Sequence, residues 1–301
     1  MFLVAILFVG YINGQDADCV LDNQLGINRN VNGKVKSISE TWYDARDKFG
    51  EIEFGDKASS EQRKYDNAGR LRECINIRYY TTGGNVNRTY KYEYNNKGAC
   101  IEVLEYVKYS SDSTIKLYTK SIFKYDEEGR LIKLSIYNDK GDILITYIYE
   151  YNSDNKLAVR KTYGAYNLEY NSDTKLWESK QYDNGLSGEI TYKYDEKGFL
   201  VEANYRNETK DVYSYNNEKI NKISHDVSRG EDGNLYPLSI STYNQYGDCV
   251  EWKAFFDGSG TYSYQYTYDD KGNWIKTVVY YNSPNELPYP HEVRVRKIGY
   301  W

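Results

Sequence analysis

Apolar and polar residues alternate along most of this chain with the two-residue period of a β-strand. The clearest case is the stretch 262–268, where four tyrosines on one face alternate with Ser, Gln and Thr on the other. Because successive side chains of a strand point to opposite faces, the pattern predicts strands with one aromatic face. Helix signals are nearly absent, so we predict an all-β chain. Shorter copies of the tyrosine alternation are Tyr92/Tyr94, Tyr192/Tyr194 and Tyr213/Tyr215.

A short turn motif separates these strands and recurs through the chain. Its best form is the stretch 125–131, which reads YDEEGRL. An Asp or Asn at the first turn position bonds the backbone ahead of it, and the Gly three residues later takes the left-handed conformation. Each copy therefore predicts a β-hairpin with a bulge beside the turn. The tyrosines that open the well-formed copies are Tyr65, Tyr94, Tyr125, Tyr194, Tyr243 and Tyr268.

An apolar residue stands two positions after the turn Gly in almost every copy, and we predict that it anchors the core beside the turn. One period contains two strands and two turns over roughly 20–30 residues, the range of stacked repeat arrays. Leu157 and Leu176 fill the same position in two copies that lack the Gly. The anchors of the well-formed copies are Leu71, Cys100, Leu131, Leu200, Cys249 and Trp274.

Residues at both ends fit the repeat less well. Tyr43-Asp44 and Asn30 with Gly33 are predicted to be degenerate copies, and the stretch 41–63 an irregular insertion or an early hairpin. Residues 293–298 alternate like a closing edge strand, with basic groups that discourage edge-to-edge aggregation.

The repeats carry a resemblance to a known family. Residues 65–71 (YDNAGRL) and 125–131 (YDEEGRL) resemble the repeats of the RHS/YD-repeat proteins. Residues 268–276 look like the last repeat of the shorter secreted bacterial members, and the resemblance covers most of the chain after about residue 30. It implies an exported β-repeat protein. The chain ends soon after the last repeat, and we therefore expect no C-terminal toxin domain and no toxin delivery.

The predicted fold is a tandem array of β-hairpins in a long, twisted antiparallel meander. The sequence leaves open whether this sheet is a single layer or curls on itself. Residues 1–14 are predicted to be a signal peptide, because their apolar run is too short to span a bilayer but has the length of a signal-peptide core. Residues 15–301 then form the repeat domain. We expect export to the periplasm, the cell surface or the medium, with no transmembrane span in the mature chain.

Composition narrows the class of partner. The formal net charge is -5 and charged residues make up 28% of the chain, so no basic field favours nucleic acid. Four widely spaced cysteines do not form a disulfide scaffold. Cys100 and Cys249 occupy anchor positions and are interpreted as small buried apolar residues. If the chain contains a disulfide, the expected pair is Cys19 with Cys74.

Catalytic chemistry has little support in the sequence. The two histidines, His225 and His291, lie in segments that we interpret as loops, without a motif around them. The turn carboxylates, such as Asp126 and Asp195, are explained by turn chemistry. We therefore predict no enzymatic activity, no catalytic or metal site and no cofactor.

The remaining candidate for function is the tyrosine row of Tyr262, Tyr264, Tyr266 and Tyr268. Two interpretations stay open: the rings pack within the sheet by cross-strand pairing, or they form an exposed row that stacks on sugar rings or on a protein. The sequence predicts a surface binding or adhesion scaffold for a glycan or a protein. A purely structural envelope module is the alternative, and a hydrolase has the least support. The oligomeric state stays open.

Overall fold

The structure is a computed structural model of the 301-residue chain. It describes residues 31–80, 84–164, 166–171, 176–181, 186–205, 209–217, 219–230, 234–255, 259–283 and 287–301. These residues form strands and turns, with no helix among them. Nothing in this part of the chain is a helix long and apolar enough to cross a membrane. The predicted signal peptide, Asn30 and Cys19 lie outside the described residues.

The strands follow one another along the chain. The first eleven are β1 (Val35–Lys48), β2 (Glu51–Tyr65), β3 (Leu71–Tyr79), β4 (Asn85–Tyr94), β5 (Cys100–Tyr109), β6 (Lys116–Tyr125), β7 (Leu131–Asn138), β8 (Ile143–Tyr151), β9 (Leu157–Tyr163), β10 (Tyr166–Asn171) and β11 (Leu176–Gln181). The other ten are β12 (Leu186–Tyr194), β13 (Leu200–Tyr205), β14 (Lys210–Asn216), β15 (Lys219–Arg229), β16 (Leu235–Tyr236), β17 (Ser239–Tyr243), β18 (Cys249–Ala254), β19 (Thr261–Tyr268), β20 (Trp274–Asn282) and β21 (Tyr289–Tyr300).

Consecutive strands pair antiparallel from β1 to β9, so the predicted meander is confirmed. The hairpin of β10 and β11 stands apart, and β9 pairs directly with β12. The meander then continues to β21, which pairs with β1. The sheet is therefore a closed antiparallel barrel of 18 strands. Closure removes the unpaired edges that an open sheet of this length exposes.

The seam between β1 and β21 closes the ring. Its pairs run from Val35 opposite Tyr300 to Asp44 opposite Glu292. At one end the indole of Trp301 donates to the carbonyl of Val35 at 3.1 Å. The prediction that residues 293–298 form an edge strand was wrong, because β1 covers the side that the sequence pattern left open.

The N-terminal hairpin corrects a second prediction. Tyr43-Asp44 lies in the middle of β1 and is not a degenerate turn copy. The hairpin of β1 and β2 turns at Phe49 and Gly50, which both have positive φ (58° and 87°). Positive φ at both central residues matches the right-handed twist of the strands on either side. Of the two alternatives for residues 41–63, the early hairpin is therefore correct.

The two faces of the barrel differ in chemistry. The inner face contains most buried side chains, for example Ile38, Val103 and Leu134. The outer face carries charged pairs in water: Lys64 contacts Glu73 at 2.7 Å, and similar pairs recur around the ring. Such pairs contribute little stability, but they show that this face is solvated.

A bulge beside each motif turn places the anchor residue on the inner face. Three anchors of the well-formed copies are buried there and three are half-buried: Cys100, Leu131 and Leu200 against Leu71, Cys249 and Trp274. The register shifts between Lys124 and Tyr125, so that Tyr125 lies opposite Leu131. The extra residue brings the anchor onto the inner face beside the tyrosine, and Leu131 is 0% exposed. Together with its neighbours it forms a core, which we call the packed wall: the inner face of β5 to β9. Its members are Cys100, Val103, Phe123, Leu131, Leu134, Ile136, Tyr149 and Leu157.

The motif turns have the predicted chemistry. Asn95 accepts from the backbone N–H groups of Lys97 and Ala99 at 3.0 and 2.9 Å. The turn glycines have positive φ, and Asn155 takes their place with φ 61°. Thr174 and the turn after Tyr170 lie outside the described residues. Cys74 and Cys100 are buried on the inner face, as predicted for Cys100, whereas Cys249 is only half-buried, contrary to its prediction.

A recurring hydrogen bond from a tyrosine at or near the turn ties one repeat to the one before it. The hydroxyl of Tyr151 donates to the carbonyl of Leu131 at 2.9 Å, and the guanidinium of Arg130 lies 5.1 Å from the ring centre of Tyr151. Each such contact bonds a tyrosine to an anchor of the preceding hairpin. The other pairs are Tyr94 with Leu71, Tyr125 with Cys100, Tyr194 with Leu157, Tyr215 with Leu200 and Tyr266 with Cys249.

Candidate functional site

The two ends of the barrel are built differently. In a ring of antiparallel strands, alternate connections lie at the same end, so the motif turns that join neighbouring strands of the ring fall at one end, the turn end. The other connections form the loop end. Most of the exposed large apolar side chains among the described residues lie there. They are Phe49, Tyr80, Tyr109, Ile115, Tyr118, Ile143, Leu235, Tyr236, Leu238, Phe255, Leu287 and Tyr289.

A row of aromatic rings lies on the inner face beside this loop end. Trp252 pairs with Tyr262, Tyr262 with Tyr281, and Tyr281 with Tyr289 across β18 to β21. Their ring centres are 5.8, 4.9 and 5.7 Å apart in that order. Tyr289 is 42% exposed at the rim, whereas the other three are half-buried. We call these four residues the aromatic row. It runs around the inner face close to the loop end, because each of the four residues lies within two residues of that end of its strand.

Two further groups border the aromatic row. The imidazole of His291, at the rim, lies with its ring centre 5.6 Å from that of Tyr262. Deeper in the barrel, Arg294 donates to Glu292 and lies 6.0 Å from the ring centre of Tyr264. Burial lowers the pKa of Arg294, but the carboxylate of Glu292 outweighs this effect and the net pKa is raised. The row is therefore flanked by the ion pair of Arg294 and Glu292.

Three polar side chains meet beside the Trp252 end of the row. Nε2 of His225 lies 3.1 Å from Oγ of Ser241, and Nδ1 lies 3.4 Å from Oδ2 of Asp211. We call these three residues the Asp–His–Ser array. They come from β14, β15 and β17, which are neighbours in the ring. Ser241 pairs with Trp252 in the register, so the array and the aromatic row adjoin.

The array is fixed in place by its surroundings. The hydroxyl of Tyr205 donates to Oδ2 of Asp211 at 3.0 Å. Burial and the nearby Asp211 carboxylate raise the pKa of Tyr205, so this phenol remains a donor. Asp211 is 9% exposed and Ser241 5%. A carboxylate, an imidazole and a hydroxyl held in this order can pass a proton between Ser241 and a ligand.

The four tyrosines of the predicted row are all on the inner face and are not an exposed surface patch. Tyr262 belongs to the aromatic row, and burial raises the pKa of Tyr264 to about 12. Tyr266 donates to the carbonyl of Cys249 at 2.7 Å, and Tyr268 donates to Asp248 at 2.8 Å. Tyr262 thus lies at the candidate site, and Tyr266 and Tyr268 hold the turn end together. Whether any of the four binds a ligand stays a prediction.

The interpretation of the histidines as loop residues was wrong. His225 lies within β15 and His291 within β21. Residues 223–227 read Ile-Ser-His-Asp-Val, so His225 is in phase with Ile223 and Val227 on the buried face. An imidazole on an apolar strand face was the signal that sequence reasoning missed.

Asp211 and Ser241 carried a similar signal. Asp211 is in phase with Tyr213, and Ser241 with Tyr243, so both polar residues fall on the tyrosine face of their strands. Alternation places each residue on a face, but it does not say which strands are neighbours. The meeting of the three side chains could be read only from the register.

Comparisons with known proteins leave the family open. No family model and no curated protein matches this chain. Among solved structures, a porin-like protein from Bacteroides uniformis is similar at 12% identity, with 89% of this chain and 98% of that chain covered and a TM-score of 0.43. A chain of the Photorhabdus luminescens Tc holotoxin pore is similar at 15% identity, with 77% of this chain and 14% of that one covered and a TM-score of 0.33. A chain of a TcdB2–TccC3–Cdc42 complex gives 12% identity, 79% and 16% coverage and a TM-score of 0.26.

Proposed function

We propose that this protein is an exported binding barrel that holds a small glycan against the aromatic row. The observation that carries the proposal is the continuous row around the loop end from exposed Tyr289 to half-buried Trp252. Aromatic rings combine a large apolar face with little conformational freedom to lose on binding. The apolar faces of sugar rings fit such a row, while their hydroxyls need polar partners.

Polar partners lie next to the rings. Asp211, His225 and Ser241 adjoin the row at its Trp252 end, and Glu292 with Arg294 flank it. A few convergent polar groups on an apolar, concave surface are the usual composition of a small-molecule site. The chemistry of this wall therefore suits a polyhydroxylated ligand better than a purely apolar one.

The position inside the ring favours a glycan over a protein. Closed barrels of eight strands already hold one small ligand, and the interior widens with strand number. The inner face of a ring is concave and reached only from its ends, so a folded protein does not fit there. The loop end supplies the opening, since binding residues are commonly carried on or beside variable loops above a rigid scaffold.

A glycan array probed with the folded full chain tests the proposal. The matched pair is Tyr262→Leu, which removes one ring of the row, and Tyr106→Leu, which removes a half-buried tyrosine from the outer face. We expect at least one class of glycan to bind the wild type and Tyr106→Leu, and to bind Tyr262→Leu at least tenfold more weakly, which corresponds to about 1.4 kcal/mol.

The other outcomes decide between the alternatives. If the folded wild type binds no glycan, the row is packing only and the structural-module interpretation gains support. If both variants bind like the wild type, a glycan site exists but lies away from the aromatic row. The prediction that the protein has no enzymatic activity is independent of this test.

A further inference from the structure

We propose that Ser241 is an activated nucleophile that accepts acyl groups from carboxylic esters. The inference rests on the proposed function in one respect: the aromatic row would hold the part of the ester substrate that does not react. It departs from the sequence prediction of no enzymatic activity. It is carried by the geometry of Asp211, His225 and Ser241, which sequence reasoning did not bring together.

The distances match the roles that such a reaction needs. Nε2 of His225 is 3.1 Å from Oγ of Ser241, within reach for a base that takes the serine proton. Nδ1 is 3.4 Å from Oδ2 of Asp211, so the carboxylate favours the tautomer with the proton on Nδ1 and leaves Nε2 free to accept. Such contacts are often long before a substrate binds. Asp211 acts through His225 and is a positioning residue.

The reaction follows from these positions. As the Oγ–carbonyl bond forms, the serine proton moves to Nε2 and the carbonyl π electrons move to its oxygen. When the carbonyl reforms, the ester C–O bond breaks, and the leaving alcohol takes the proton from Nε2. Water then attacks the acyl carbon by the same route, which releases the carboxylic acid and restores Ser241. Nothing is oxidised or reduced.

The sheet limits the range of substrates. Ser241 lies in the middle of β17, paired on one side with Ile223 and on the other with Trp252. Its strand backbone is therefore engaged in the two ladders and does not offer the paired N–H groups of an oxyanion hole, which contribute about 10²–10³-fold in rate. General-base assistance alone contributes about 10²–10⁴-fold. We therefore infer aryl esters with good leaving groups as the substrate class.

Labelling with a fluorophosphonate probe tests the nucleophile directly. Oγ of Ser241 forms a bond to phosphorus, fluoride leaves, and His225 takes the proton. We expect one label per folded chain, located on Ser241 by mass spectrometry and absent from Ser241→Ala. Urea-unfolded wild type should not react, because activation requires the array to be assembled.

Three variants distinguish activation of Ser241 by His225 from simple exposure of a serine hydroxyl to the probe. His225→Gln and Asp211→Asn should fold, by circular dichroism, and label Ser241 more slowly, by at least about 100-fold for His225→Gln. Ser239→Ala is the matched control, since this serine is on the same strand and equally buried but should leave the labelling rate unchanged. Hydrolysis of p-nitrophenyl acetate should follow the same order.

The proposal is overturned if the folded wild type takes no label, if the label lies on another residue, or if His225→Gln reacts as fast as the wild type. If the variants do not fold, equal labelling of native and unfolded wild type overturns it. Loss of labelling with intact glycan binding would remove this inference alone. Absence of glycan binding with intact labelling would remove the proposed function alone.

Discussion

Two stretches of the inner face show how one repeat produces different chemistry. The packed wall, on β5 to β9, presents Phe123, Leu134 and Ile136, which pack with the anchors into one core. The inner face of β14 to β21, the aromatic wall, presents His225 and the other members of the array and the row. Both walls have the same motif turns and the same tyrosine-to-anchor hydrogen bonds at the turn end.

The difference lies in the residues farther from the turns. Leu131 and Cys249 occupy equivalent anchor positions, but the strand after Leu131 continues with inward Leu134 and Ile136, whereas that after Cys249 continues with Trp252 and Ala254. The repeat thus fixes the turn end, and the loop end of each strand is free to vary. We expect function near the loop end, where the repeat motif does not determine which residue is present.

The largest expected effect is at the seam that joins the two halves of the ring. Arg296 donates twice to Glu40 at 3.0 and 3.1 Å, and both side chains are buried. Arg296→Met leaves a buried, unpaired carboxylate, which costs about 3–5 kcal/mol. Urea unfolding measures this cost. The double variant Arg296→Met with Glu40→Leu should recover most of it, and no recovery would contradict a direct pairing.

The packed wall should be more sensitive to truncation than the aromatic wall. Leu131→Ala removes a fully buried anchor and should lower the free energy of unfolding by about 2–5 kcal/mol. Tyr262→Leu, in the aromatic wall, should cost less than about 1.5 kcal/mol, because the ring is half-buried and Leu keeps much of the apolar contact. Equal costs in urea unfolding would mean that the two walls do not differ in packing.

The tyrosine-to-anchor contacts at the turn end should contribute less to stability, because each consists of a single hydrogen bond. Tyr151→Phe removes the hydroxyl that donates to the carbonyl of Leu131, and we expect a loss of about 0.5–1.5 kcal/mol. Tyr109→Phe, at the exposed loop end, should stay within about 0.5 kcal/mol of the wild type. Thermal unfolding of the two variants in parallel provides the comparison. Unchanged stability of Tyr151→Phe would contradict a stabilising role for the tyrosine-to-anchor hydrogen bonds.

The smallest expected effect is a pH dependence from the motif turns. Burial on its own raises the pKa of Asp126, but the backbone and side-chain hydrogen bonds from Arg130 outweigh it and lower the pKa. A lowered folded pKa gives stability that is present above the unfolded value, about 3.9, and is lost as the pH falls through the folded value. Stability should therefore decline below about pH 4.

Asp126→Asn separates this titration from turn geometry. Asn95 shows that the amide makes the same turn bonds, so the variant should fold. It should lose less stability than the wild type as the pH falls from about 5 to about 2. An unchanged acid slope would mean that Asp126 does not contribute to it.

Local patterns were enough to predict the hairpins but not the ring. The turn at Asp126, the bulge and the buried anchor Leu131 all follow from neighbouring residues. The pairing of β1 with β21 joins segments from opposite ends of the chain, and no local preference encodes it. The alternation around His225 carried the signal of a buried face, which the loop interpretation missed, and the contact with Ser241 depends on which strands are neighbours. Long-range register decided both the closure and the candidate site.

The central claim is that the aromatic wall faces a ligand and the outer face does not. Isothermal titration calorimetry with the glycan that binds most strongly on the glycan array tests it most directly. The glycan is titrated into wild type, Tyr262→Leu and Tyr106→Leu. The account predicts wild-type affinity for Tyr106→Leu and at least tenfold weaker binding, about 1.4 kcal/mol, for Tyr262→Leu. Weaker binding by Tyr106→Leu with an unchanged Tyr262→Leu would contradict it, because the ligand would then lie on the outside of the barrel.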